Sequence, residues 1–291
     1  FTPSFFMRIS HVFVSSWMVG SALMLSVSAW YILRKQHERE ARANFAVALP
    51  VFTVMSILQL FVFGSGSAVN VTEHQPQKLA AMEGIWETET CAPMTILGWT
   101  NSATQTTTGI RIPCALSFLA FQDFQAPVQG LNDFPPDEIP PVGLTFQSYH
   151  GMINLGVAFI GIGLLGMFFY WRKKRVFEMR WLLWLFVLSI FMAEVATMLG
   201  WWTAEFGRQP WIVWELLRTA DAVSPTLSTG EALFSVIMFV VLYIILGILF
   251  VYLLNEKIQH GPEPLEAVES VPVSSLPDTF REVFREPRAG A

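Results

Sequence analysis

Five stretches of the chain are apolar for about twenty residues or more, near residues 5–32, 45–63, 149–171, 181–202 and 233–254. A helix crossing a hydrocarbon core of roughly 30 Å needs about 20 residues. In lipid every backbone polar group must be bonded within the protein, and these stretches lack the strict alternation of a barrel strand. The expectation is therefore an all-α integral membrane protein with about five transmembrane helices. Composition agrees, with 53% hydrophobic and 14% charged residues, 11 Trp and 25 Phe. The aromatic residues suit lipid-facing belts and equally the walls around a flat cofactor.

Orientation follows from Lys and Arg. Arg34, Lys35, Arg39 and Arg42 follow the first span, and Arg172, Lys173, Lys174, Arg175 and Arg180 follow the third. Both connections are read as cytoplasmic, so the N-terminus and the long loop face outward and the C-terminal tail inward. The net charge of −5 comes largely from loop and tail, and no basic arm suggests nucleic acid. The chain begins with Phe and enters a span at once, with no basic signal-peptide region. It reads as processed, trimmed or continuing something upstream.

Four segments follow: two spans in 1–63, an outer-face loop in 64–148, three spans in 149–256 with an outer turn, and a tail in 257–291. The loop carries Pro135-Pro136 and Pro140-Pro141 and shows no second amphipathic period, so an irregular cap is expected. It holds both cysteines, Cys91 and Cys114. On an oxidising face these are disulfide candidates, with two buried thiols as the alternative. The tail, rich in Pro, Glu and Ser, reads as poorly ordered.

Within the loop, Thr72 to Trp86 encodes a short helix, with Pro76 suited to its first turn and Gly84 to its stop. At about 100° per residue, Lys78 and Glu83 lie roughly 140° apart. Gln75, Lys78 and Met82 share one side; Leu79, Glu83 and Trp86 share another. A cation, a carboxylate and an aromatic ring beside a membrane can hold a polar-headed lipophile and take its protons. The same pattern also describes an amphipathic helix lying in the interface with solvated charges.

Polar groups at membrane depth invite functional readings. His11 lies near the outer end of the first span, and Met152, next to His150, lies near the outer end of the third. Running in the same direction, the two spans bring both side chains to similar depth. There they could clamp one haem iron, a ligation that suits electron transfer because no site stays open to oxygen. A hydrogen-bonded bundle histidine and a packing methionine are the alternative. Glu194, well inside the fourth span, fits a proton relay, a haem neighbour or a protonated packing residue. After that span comes Gly207-Arg208-Gln209-Pro210-Trp211, locally a turn with an interfacial Trp, whose Arg208 could pair with haem propionates.

Gln75-Pro76-Gln77-Lys78-Leu79-Ala80-Ala81-Met82-Glu83-Gly84, followed by Gly207-Arg208-Gln209-Pro210-Trp211, strongly resembles the large haem-bearing subunit of cytochrome bd quinol oxidase. The first motif looks like the start of that family's quinol-binding loop, here in its short form, and the second like its Gly-Arg-Gln-Pro-Trp signature. The resemblance implies His11 and Met152 as axial ligands of the low-spin b haem, and Lys78 and Glu83 as quinol-binding and quinol-oxidising residues. It places Arg208, Trp211 and His150 near that haem.

The match covers nearly all of this chain but only the later part of the family subunit. The four N-terminal spans that carry the haem d ligand are not in it. The family's carboxylate ligand of the high-spin b haem is Met198 here, with Glu194 one turn earlier as a candidate substitute, and His150 stands where the family has Arg. The resemblance therefore implies the subunit through which quinol electrons enter a bacterial inner-membrane quinol oxidase. Haem d and the high-spin b haem would then belong to a related partner subunit, with small single-span subunits as further candidates. A haem-free structural subunit, the later part of a complete three-haem subunit, and a transporter on a borrowed fold are the alternatives.

Overall fold

The computed structural model describes residues 4–262. The tail expected to be poorly ordered lies largely outside these residues. In chain order come α1 (Phe5–Arg34) and α2 (Glu38–Leu58), a π-helical turn (Gln59–Gly64), α3 (Ser65–His74) and α4 (Pro76–Glu83). Short strands β1 (Glu89–Thr90), β2 (Met94–Asn101) and β3 (Thr106–Ile112), helix α5 (Ala115–Phe121) and β4 (Pro127–Val128) complete the loop. Then follow α6 (Val142–Trp171), α7 (Arg180–Phe206), the small hairpin β5 (Trp211–Val213) and β6 (Leu217–Arg218), and α8 (Thr229–His260). Among the described residues, five helical spans are long and apolar enough to cross a membrane. The chain divides into two compact units at Ser235/Val236, within α8.

The spans run past their apolar cores. The second continues through the π-turn and α3 as far as His74, and the third begins at Val142, seven residues before the expected start. Polar termini of a helix leave no hydropathy signal but cost little where they pack on the cap.

Helices α1, α2, α6 and α7 form a four-sided bundle in which α1 packs on α2 and α7, and α6 packs on the same two. α1 and α6 thus occupy one diagonal. One half of the interior is filled by Leu25, Phe45, Phe52, Phe159 and Phe186. The Phe45 ring meets Phe186 and Phe177 edge-on at 5.0 and 5.4 Å, an arrangement the aromatic quadrupole favours. Small residues let α1 and α7 approach closely, and Ser26 Oγ donates to Val187 O across them at 2.8 Å.

The loop is not irregular. β2 and β3 form an antiparallel hairpin from Met94↔Ile112 to Asn101↔Thr106, and β1 pairs with β4. Threonines alternating with large apolar residues, interrupted by a bulge between Thr95 and Leu97, encode the hairpin. Cys91 and Cys114 are bonded, with Cα atoms 4.0 Å apart, tying the hairpin's start to the head of α5.

Candidate functional site

The α4 helix forms as its residues dictate: Pro76 takes the first turn, and Gly84, at φ 65°, closes it in the left-handed region. Its setting decides against one of the two sequence readings. Every residue from Gln77 to Glu83 is buried, so neither side faces water and the surface amphipathic helix is excluded. Leu131 N and Asn132 N donate to Ile85 O and Trp86 O, holding the later loop across the helix exit.

Glu83 is 1% exposed. Tyr149 hydrogen-bonds its carboxyl, and His150 Nε2 lies 3.9 Å from Oε2, which has no hydrogen-bond partner. Burial pushes this carboxyl up to about 8, against smaller opposing effects of the Tyr149 and Thr95 hydrogen bonds. His150, buried and stacked on Phe146 at 4.0 Å, reaches Thr95 O through Nε2 at 2.8 Å and Phe146 O through Nδ1 at 3.0 Å. A neutral ring can donate to only one of them.

Lys78 is buried at the other end of the helix. Burial, then the nearby Arg8 and Arg208 cations, lower its ammonium to about 8, with Glu205 opposing. Its stem packs on the turn after α7: a Cβ at Gly207 would stand 2.8 Å from Lys78 Cε. A side chain there would displace the Lys78 stem. Arg208 pairs with Glu205, and Gln209 Oε1 accepts from Thr219 Oγ at 2.8 Å. Arg218 stacks on Trp211 and binds Asp137 at 2.8 Å, holding the Asp137 carboxyl below its ordinary value.

His11 and Met152 stand on the diagonal pair of helices, α1 and α6. Gln59 Nε2 lies 3.0 Å from His11 Nε2, while His11 Nδ1 is buried without a partner. Both small-residue flanks are close: a Cβ at Gly200 would meet Met152 Sδ at 2.9 Å, and one at Gly64 would lie 3.9 Å from His11 Cε1. The aromatic core stops short of this layer, where the π-turn, α6 and α7 bring Gly64, Gly156 and Gly200. An imidazole and a thioether, each beside a glycine, are a donor set whose chemistry suits haem iron. Among the described residues, the buried side-chain polar atoms that lack a partner gather in this layer and around α4: His11 Nδ1, Gln59 Oε1, Ser67 Oγ, Asn70 Oδ1, Gln75 Oε1, Gln77 Oε1, Glu83 Oε2, Arg208 Nε, and the Trp86 and Trp211 Nε1 atoms. Native interiors seldom leave such groups unpaired unless something else binds there.

The two sites are contiguous. Arg8, which acts on Lys78, is one turn before His11 on α1; Tyr149 and His150, which contact Glu83, are within one turn of Met152 on α6. Glu194 does not join them. It is exposed on the outer side of α7 together with Met198, whereas Ala193, Ala196 and Thr203 face inward. Sequence reasoning missed Tyr149, Thr95, Arg8, Glu205 and Gln59. Of these, Arg8 and Gln59 carried a usable signal as polar residues inside apolar stretches.

A helical membrane protein with a buried helix carrying Lys78 and Glu83, packed on the start of α6, is the class that fold and site define. The chain belongs to the cytochrome bd terminal oxidase subunit I family, which it matches over residues 1–262. It is 33% identical over 290 residues to cytochrome bd ubiquinol oxidase subunit 1 of Bacillus subtilis (strain 168), covering 94% of this chain and 60% of that one. It is 36% identical over 278 residues to a putative cytochrome bd menaquinol oxidase subunit I of the same organism, covering 93% and 61%. The solved bd oxidase from Geobacillus thermodenitrificans superposes with a TM-score of 0.81 at 27% identity, over 90% of this chain and 59% of that one. The chain thus spans about 60% of the length of these relatives.

Proposed function

We propose that the chain is the quinol-oxidising part of a bd-type quinol:dioxygen oxidoreductase. The observation that carries this is the contiguity of a buried carboxyl, a buried cation and the residues His11 and Met152, edged by unsatisfied polar atoms. Quinol oxidation releases two protons and two electrons. Glu83, its carboxyl raised to about 8 and so protonated near neutral pH, passes its proton outward and then takes one from the quinol, held throughout by its hydrogen bond with Tyr149. Lys78 holds the headgroup oxygen and stabilises charge on it. His11 and Met152 hold a low-spin b haem, which when bound supplies a one-electron acceptor closed to oxygen. Arg208 and Trp211 carry the unpartnered N–H groups suited to its carboxylates.

The oxygen-reducing haem d and high-spin b haem belong, in this reading, to a related subunit that supplies further spans. Exposure of Met198 and Glu194 on one face of α7 supports it, because the family's carboxylate position then opens toward a neighbour. The Glu83 end faces outward, so released protons add to a transmembrane gradient. The Gln59–His11 contact is what a haem-free scaffold subunit would also keep.

A reduced-minus-oxidised spectrum of the purified assembly separates the two. His11→Ala and Met152→Ala should each abolish a low-spin haem signal and leave any oxygen-binding haem intact. Retention of every signal in both variants sinks the reading and leaves the scaffold.

A further inference from the structure

The β2–β3 hairpin is amphipathic the wrong way round for a protein in water. Its pairing puts Leu97, Trp99, Ile110 and Ile112 on one face. That face is open, with Trp99 at 65% and Ile110 at 63% exposure. The opposite face carries Thr95 and Thr100, which are buried against the protein. Soluble surfaces rarely display such a patch without something covering it.

Three side chains on one face of α6 fix where the hairpin sits. Gln147 Nε2 donates to Gly98 O at 3.2 Å, His150 Nε2 reaches Thr95 O at 2.8 Å, and Asn154 Nδ2 donates to Ile96 O at 3.2 Å. The other end of α6 is anchored by Trp171 and the following Arg172, Lys173 and Lys174, residues that stay at a membrane boundary. Counting back from Trp171 at about 1.5 Å per residue, a core of roughly 30 Å ends near Gly151. Asn154 is therefore about a turn inside the hydrocarbon, and the strand bonded to it lies at the lipid boundary. Exposed Val157, one turn deeper on α6, continues the same apolar surface.

The hairpin is graded along that axis. On the Leu97/Trp99 face its base, beside Asn154, exposes isoleucine and leucine, while Arg111 is exposed on the opposite face and donates to Thr107 O; Trp99 follows; the tip, from Asn101 to Thr106, exposes Asn, Ser, Thr and Gln. Apolar, then Trp, then polar is the order in which a bilayer changes from hydrocarbon through headgroups to water. We propose that the Leu97/Trp99/Ile110/Ile112 face of the hairpin is seated in the lipid of the leaflet at the Glu83 end, as an interfacial anchor laced to α6. It is independent of the quinol chemistry and needs only that α6 spans the membrane.

Site-directed spin labelling of the full assembly in phospholipid vesicles tests it. Native Cys91 and Cys114 are bonded and do not react. Labels at Leu97→Cys and Ile110→Cys should collide more with dissolved oxygen than with a water-soluble nickel chelate, and a label at Ser102→Cys on the tip should show the reverse. Chelate-dominated collisions at all three positions overturn the proposal. Loss of collisions with both reagents at 97 and 110 also overturns it, and assigns the face to a neighbouring protein chain. Should a labelled variant not assemble, unlabelled protein in brominated lipid serves: wild type should lose more tryptophan emission than Trp99→Phe, and equal loss refutes the lipid seat.

Discussion

Replacing Glu83 by Gln removes the one buried carboxyl in α4 while keeping its size and an acceptor for Tyr149. Folding raises this carboxyl from 4.5 to about 8. Between those values the unfolded chain has released its proton and the folded chain has kept it, so the folded state loses stability as pH rises. The loss begins near 4.5 and is complete above about 8. At about 1.4 kcal/mol per pKa unit, the ceiling is on the order of 5 kcal/mol. With 1% of Glu83 exposed, solvent screening removes little of it. Glu83→Gln has no such slope, so its advantage over wild type should grow between pH 5 and 8. Lys78 does not confound that window: with its ammonium lowered from 10.5 to about 8, its burial cost is full below 8 and relieved only above. Thermal midpoints in lipid nanodiscs at pH 5, 6, 7 and 8 measure the gap. Infrared spectroscopy supplies a second readout, a protonated-carboxyl band at pH 6 that disappears through pH 8 and is missing from the variant. A midpoint gap that stays flat across the series, with no variant-dependent band at pH 6, would refute the reasoning.

Gly207→Ala places a methyl 2.8 Å from Lys78 Cε, so it should raise the KM for quinol several-fold while leaving the haem spectrum of the assembly unchanged; steady-state kinetics and the spectrum check both halves. Replacing Cys91 and Cys114 by Ser opens a loop of sequence separation 23, and the chain-entropy relation assigns this about 3 kcal/mol. The measurement is the drop in thermal midpoint, which reductant should reproduce in wild type and not in the variant. Glu194→Gln should leave the low-spin haem signal intact, since Glu194 is exposed on the outer side of α7. Arg218→Ala should let the Asp137 carboxyl rise to its ordinary value, seen by NMR titration, and leave the thermal midpoint nearly unchanged because the pair is solvent-exposed.

Much of this was legible because membranes leave a blunt imprint on sequence. A span must be apolar for its whole length, so five of them can be counted without a structure. Pro76 and Gly84 bound α4 by backbone chemistry alone, which is why its ends fall where the sequence puts them. The hairpin escaped notice because a bulge between Thr95 and Leu97, and glycines at 98 and 109, interrupt the alternation that would mark its strands. Burial of α4 escaped because a helix of good formers with two charges looks the same whether water or protein surrounds it.

By itself, then, the sequence determined the class of molecule, its spans, the short helix and the candidate set Lys78, Glu83, His11 and Met152. Only the tertiary structure decided that α1 and α6 lie on a diagonal and that Glu83 is enclosed by Tyr149 and His150. It alone put Lys78 against Gly207 and turned Glu194 outward. The reason is physical: a span's apolarity is a property of each residue against lipid, whereas desolvation of a charge depends on which distant segments close over it.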